Sequence, residues 1–170
     1  MGNWKIVFLD AMTFDREDIS FEVFTKEWDC VFHRITQPEE TAGRLLGCDA
    51  AVTNKTVINA GVLARSEARN LKLIAVAATG FNNVEVEAAK RRGIPVCNVK
   101  GYSSPSVAQH TFGLILELCS HAGAYSRDVA AGEWSKSPIF TLLTYPCTEL
   151  AGKTLGLIGY GDIGKAVARI

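Results

Sequence analysis

Short apolar runs alternate along the first hundred residues with stretches whose apolar positions recur at helical spacing. That is the pattern of successive βαβ units and a parallel sheet. Lys5 to Leu9 (KIVFL) predicts a buried strand, Glu17 to Trp28 a helix, and Cys30 to Ile35 a second strand. Thr36-Gln37-Pro38-Glu39 reads as a capping box with proline in the first turn, opening a helix to about Leu46 that Gly47 closes. Ala50 to Thr53 predicts strand three, and Val57 to Arg69 a helix that ends in basic residues and Asn70. Leu71 to Ala77 (LKLIAVA), the most apolar run of this half, predicts a central fourth strand. Asn82 or Asn83 is the expected cap of a helix over Val84 to Arg92, whose acidic first turn and basic last turn suit the helix dipole. Gly93 ends it, and Pro95 to Val99 is strand five.

From Gly101 the alternation stops. A long apolar helix is expected from Ser104 to about Ala122, with further helix to Ala131. Gly132 to Gly152, with Trp134, Phe140, Leu142, Leu143 and Tyr145, reads as an irregular apolar arm that needs another surface to cover it. Lys153 to Ile158 (KTLGLI) predicts a fresh strand, with a helix beginning near Asp162. Lys165 to Ile170 carries no stop signal, so the chain is expected to end inside that helix. Two domains are expected: 1–99, a complete small doubly wound α/β domain, and 100–170, a crossover helix, an arm and the first strand and turn of another.

Composition narrows the class. Of 170 residues 48% are hydrophobic, enough for a real core in one domain or one and a fraction. Eighteen basic and 18 acidic side chains cancel, which gives no electrostatic reason to expect nucleic acid or an anionic membrane as partner. The five cysteines (Cys30, Cys48, Cys97, Cys119, Cys147) are odd in number and form no CxxC pair. They predict neither a disulfide framework nor a metal site, and point to a reducing, cytoplasmic location. Cys97 and Cys119, in apolar runs, are expected to be buried. The apolar run before Asp10 is too short for a signal peptide, and no run approaches the roughly 18 residues of a membrane helix.

Gly159-Tyr160-Gly161-Asp162-Ile163-Gly164 matches GxGxxG between a strand pattern and a helix pattern. In that context the first glycine permits a tight turn, the second lets backbone approach a pyrophosphate, and the third lets the helix pack on the strand. Free N–H groups at the helix start would hold the phosphate charge. The alternative is an ordinary glycine-rich βα turn. The acidic ribose-binding residue of this fingerprint, about 20 positions on, falls past Ile170.

The order of these elements, with Ala78-Thr79-Gly80-Phe81-Asn82-Asn83-Val84-Glu85, the segment IPVCNVKGYSSPSVAQHTFGLILEL (Ile94 to Leu118) and the Gly159 to Gly164 turn, resembles the N-terminal half of the D-2-hydroxyacid dehydrogenases. The similarity is to the glycerate dehydrogenase (hydroxypyruvate reductase) branch. It covers essentially the whole chain, and departs where the family usually has aspartate at the positions of Asn82 and Glu85. The resemblance implies a flavodoxin-like substrate domain followed by the start of a Rossmann NAD-binding domain, and hydride transfer between NAD or NADP and a small 2-hydroxy or 2-oxo acid. It implies that backbone N–H groups of Thr79 and Gly80 hold the substrate carboxylate, helped by Asn54 and Lys55, and that Thr79, Val107, Gly159, Gly161, Asp162, Ile163 and Gly164 meet the cofactor. Lys55 as a solvated side chain and Val107 as a core residue are the plain alternatives.

By the same resemblance the catalytic arginine and the histidine–glutamate pair lie beyond residue 170, so none of the catalytic residues is expected in this chain and no turnover is expected from it alone. His110 has no acidic or histidine neighbour at helical spacing, His33 and His121 have one acidic residue each there (Asp29 and Glu117) and no second histidine, and all three are read as structural. The resemblance also implies a homodimer built on about 104–150, the crossover helix and arm. Without parallel neighbours, strand Thr154 to Ile158 would be an unpaired edge, so residues after about Leu150 are expected to be disordered or paired across a dimer. Two further readings stand beside the enzyme: an NAD-sensing, corepressor-like binding module, and a truncated fragment whose property is dimerisation.

Overall fold

The computed structural model describes residues 4–170. They fall into two compact units, one running to Lys100 and the other from Gly101 to Ile170. The first is a five-stranded sheet of order β2-β1-β3-β4-β5, with every pairing parallel. The strands are β1 (Lys5–Phe8), β2 (Asp29–Phe32), β3 (Ala50–Thr53), β4 (Leu73–Val76) and β5 (Val96–Asn98). This is the flavodoxin-like doubly wound order. The fourth strand, expected at the centre, lies between β3 and β5, and β3 takes the centre.

Side chains leave a strand on alternate faces, and β1 supplies both cores. Val7 joins Leu45, Cys48, Ile58, Leu63, Ile74 and Val76 on one side. Ile6 and Phe8 join Ala50 on the other, with Trp4, Phe21 and Trp28 packed around them. Phe8 stacks on Phe32 with ring centroids 4.4 Å apart. Full burial of a side chain of this size contributes roughly 1.5–3 kcal/mol, so the strand's tetrapeptide anchors both layers.

The helices are shorter than their patterns predict. Helix α1 is Glu22–Thr25 and does not begin at Glu17, whose φ of +67° places it in the left-handed region. The expected capping box sits one residue on, between Gln37 and Glu40, ahead of α2 (Thr41–Arg44). Thr36 is instead buried, its hydroxyl donating to the Leu9 carbonyl. The predicted 57–69 helix divides into α3 (Ala60–Leu63), capped by Asn59, and a 3-10 turn Ser66–Ala68, because Arg65 is extended. Helix α4 is Val86–Arg91 with Glu85 at its N-cap, so neither Asn82 nor Asn83 caps it. Cys97 is exposed on edge strand β5, and Cys119 is half-buried; Cys48 is the buried thiol.

The second unit holds α5 (Ser104–Ser120), α6 (Ala122–Ala130), α7 (Glu133–Lys136) and α8 (Asp162–Val167). His121, at φ +51°, separates α5 from α6, close to the expected end of the long helix at about Ala122. The arm is tied back by a reciprocal pair: the Tyr125 hydroxyl donates to the Tyr145 carbonyl at 2.8 Å and accepts from the Tyr145 N–H at 3.0 Å. The Thr148 N–H donates to the Cys119 carbonyl at 2.8 Å. The predicted strand 153–158 is not formed. Among the described residues the sheet lies wholly in the first unit, so this apolar run has no strand in its own unit to pair with, and Ile158 is fully exposed. Residues after Leu150 nevertheless include an ordered element, since α8 packs on α5.

Candidate functional site

Open α/β sheets bind ligands outside the carboxyl ends of their strands. In the first unit that edge is made by the segments following β1, β3 and β4. Leu9 and Asp10 follow β1, Asn54 to Thr56 follow β3, and Ala77 to Asn82 follow β4.

Asp10 is almost fully buried and organises the loop after β3. One carboxylate oxygen accepts the Asn54 N–H at 2.8 Å. The other accepts the N–H groups of Lys55 at 2.6 Å and Thr56 at 2.7 Å, and the hydroxyl of Thr56 at 3.0 Å. Asn54 Nδ2 donates to the Thr13 hydroxyl at 3.0 Å. Both donor groups of Asn54 are thus spent inside the protein. The Lys55 side chain is exposed and makes no ion pair among the described residues.

The loop after β4 is arranged differently. The Thr79 hydroxyl donates to the Val99 carbonyl at 2.9 Å, and the Thr79 carbonyl accepts from Asn98 Nδ2 at 2.7 Å. The backbone N–H groups of Thr79 and Gly80 find no acceptor among the described residues. Both residues are exposed, so this pair of donors faces outward at the sheet edge. Asn83 links the two loops: its Nδ2 donates to the Thr56 carbonyl at 3.0 Å, and its own carbonyl accepts the Ile58 N–H at 2.8 Å. That tertiary use is why it is lost to the helix cap. Asp10 and Asn83 hold these loops together and are overlooked by sequence patterns; an acidic residue directly after a buried strand is the signal that points to the first.

His33 lies after β2, at the far side of the sheet order from β4. Its pKa is lowered, first by burial and then by the Arg44 guanidinium, with Glu40 opposing. His110 and His121 belong to the second unit. Among the described residues no group of three or more His, Cys, Asp or Glu is placed to hold a metal ion, and no helix is long and apolar enough to cross a membrane.

The remaining candidates lie in the second unit. Val107 is exposed in the first turns of α5, its N–H donating to the Ser103 carbonyl. Gly159 has φ +92°, a conformation that strains any other residue. A Cβ on Gly164 would stand 2.5 Å from the Gly159 carbonyl oxygen, so the third glycine is required by the turn closing on itself. A Cβ on Gly161 would meet nothing within 4 Å. The protein leaves that side open, which fits a group that brings its own atoms close to the backbone. Asp162 and Ile163 open α8, and their N–H groups, like that of Gly164, have no acceptor among the described residues. Orphan donors at a helix start suit a phosphate.

Residues 6–160 match the family model "D-isomer specific 2-hydroxyacid dehydrogenase, catalytic domain", and the chain belongs to that family. It is 36% identical over 169 residues to a hydroxypyruvate reductase of Blautia hydrogenotrophica, covering 98% of this chain and 52% of that protein. It is 39% identical over 167 residues to a glycerate dehydrogenase of Methylorubrum extorquens, covering 97% and 51%. The solved structure of the pyruvate reductase of Chlamydomonas reinhardtii superposes with a TM-score of 0.75 at 26% identity, covering 98% of this chain and 48% of that one. The chain thus spans about half the length of the curated relatives it matches.

Proposed function

We propose that this chain forms the substrate-binding part, and opens the dinucleotide-binding part, of an NAD- or NADP-linked oxidoreductase acting on a small 2-hydroxy or 2-oxo acid of the glycerate/hydroxypyruvate kind. In this reading residues 1–99 are the substrate domain and 100–170 begin the cofactor domain. The observation that carries it is the adjacent pair of unengaged N–H groups at Thr79 and Gly80, on the ligand-binding edge of a chain of this family. Two adjacent free donors can serve the oxygens of one carboxylate, and charge-assisted hydrogen bonds of this kind are the strong ones. Lys55, on the neighbouring loop, adds a cation. Asn54 supports the loop with its backbone and side chain, since its own donors are already used.

The turn from Gly159 to Gly164, with Asp162 and Ile163, is suited to a dinucleotide pyrophosphate, with Thr79 and Val107 as further cofactor contacts. When bound, the nicotinamide supplies or receives the hydride. No histidine in the first unit stands beside the Thr79–Gly80 pair: His33 follows β2, which β1 and β3 separate from β4. In this reading the first unit orients a bound acid without a histidine of its own to exchange the hydroxyl proton, and binding without turnover is expected of these 170 residues. The test is an amide-resolved NMR titration with oxalate, a non-reacting mimic of a 2-oxo acid, beside an assay of NADH oxidation with hydroxypyruvate. Oxalate is expected to shift Lys55, Thr79 and Gly80 with no NADH consumed. An unperturbed β4 loop would sink the binding reading, and steady NADH oxidation would sink the expected inactivity.

A further inference from the structure

We propose that Asp10 is the positioning residue of this anion site: it decides which donors along the sheet's carboxyl edge face a ligand and which do not. The proposal rests on the reading of Thr79, Gly80 and Lys55 given above. The loop after β3 carries three successive N–H groups, at Asn54, Lys55 and Thr56. Three such groups in sequence make an anion-binding concavity when they point outward. Here all three point inward, onto the Asp10 carboxylate, together with the Thr56 hydroxyl and, more weakly at 3.4 Å, that of Thr53.

Two consequences follow for a carboxylate substrate. The loop's amides are withdrawn from competition, so the anion is left to the Thr79–Gly80 pair. The Asp10 charge is spent on five internal donors, so an acid at the same edge meets little of the repulsion that a bare aspartate would exert. Because the Lys55 N–H is itself one of the bonds at 2.6 Å, the carboxylate also fixes the backbone from which the Lys55 side chain starts. Asn54 Nδ2 and Asn83 Nδ2 pin the same loop from its two sides, to Thr13 and to the Thr56 carbonyl. Asp10 touches no ligand in this scheme; it acts through Lys55.

Asp10→Asn keeps the size and replaces one acceptor oxygen with an NH2 group, which confronts the loop's N–H donors with another donor. The test measures hydrogen exchange at individual amides and oxalate affinity on the whole chain, in wild type, in Asp10→Asn and in Leu45→Ala. Leu45 is fully buried just after α2, towards the amino end of β3, so the last variant loses stability without touching the loop. In wild type the amides of Asn54, Lys55 and Thr56 are expected to exchange slowly while those of Thr79 and Gly80 exchange freely. Asp10→Asn is expected to speed the three loop amides by about tenfold or more and to weaken oxalate about tenfold; Leu45→Ala is expected to do neither. Unprotected loop amides in wild type overturn the proposal even if the aspartate variant fails to fold. So does an Asp10→Asn protein with its loop protection intact, or oxalate weakening of equal size in Leu45→Ala. Slow loop amides in a wild-type chain that ignores oxalate would reject the site reading instead, leaving the role of Asp10 to the exchange data.

Discussion

Asp49 ties down the end of the sheet opposite the candidate site. Its carboxylate accepts the Lys5 N–H at 2.9 Å and the Lys72 ammonium at 2.7 Å. These contacts, the backbone bond first, hold its pKa below the ordinary aspartate range. A folded-state pKa below the unfolded one contributes stability above the unfolded value, and the contribution is lost as pH falls through the folded value. Asp49→Asn is therefore expected to cost about 1–2 kcal/mol at neutral pH, with the gap to wild type closing below a pH of about 4. Urea unfolding followed at both pH values by first-unit amides checks this, and a gap independent of pH would contradict it. Single residues such as this one were the least legible part of the sequence. Nothing in the pattern around Asp10, Asp49 or Asn83 says that their partners lie 23 to 46 positions away, because hydrogen bonds between loops leave no periodic trace. Glycines behave differently: Gly159 and Gly164 were readable because backbone conformation and close approach limit the residue type directly.

At the scale of elements, strands were legible and helix lengths were not. A strand buried on both faces is a contiguous apolar run, and all five runs of the first unit appear as paired strands. Helix boundaries were set by local backbone events that apolar spacing does not encode: Glu17 in the left-handed region, the extended Arg65, and His121 in the left-handed region between α5 and α6. The run 153–158 fails for another reason, since a strand needs neighbours and its own unit offers none. Where a cap does form, its effect can be predicted. Asn59 Oδ1 accepts the Val62 N–H at 2.9 Å at the start of α3, and α3 places Leu63 in the core. Asn59→Ala is expected to destabilise the first unit by about 1 kcal/mol, and Asn59→Gly by only a few tenths. Chemical denaturation of the three proteins checks the order, and an alanine variant as stable as wild type would deny the cap any weight.

The two units differ in how they cover their apolar surface, and that difference bears on the state of the whole molecule. The first unit sinks its strands between two cores. In the second, Leu118 is 77% exposed, Phe140 90% and Leu143 78%, and a cavity of about 650 Å³ opens between the arm and α6, lined in part by Trp134, Leu142 and Tyr145. Yet the arm is held in place by the Tyr125–Tyr145 hydrogen bonds, so it presents a defined surface. Monomers rarely keep extensive apolar patches in water, and burying side chains of this size contributes roughly 1.5–3 kcal/mol apiece. A second copy of the chain would meet the same surface by two-fold symmetry, the commonest closed arrangement. We therefore expect a dimer through residues 104–150. Light scattering across a concentration series should give twice the chain mass, falling to one chain in the double variant Phe140→Asp, Leu143→Asp. Amide spectra of the first unit should be unchanged by that variant, which separates loss of assembly from loss of fold. A wild-type chain that stays monomeric at the highest concentration would reject this interface, and it would leave the Thr79–Gly80 site untouched, because that site is built wholly from the first unit.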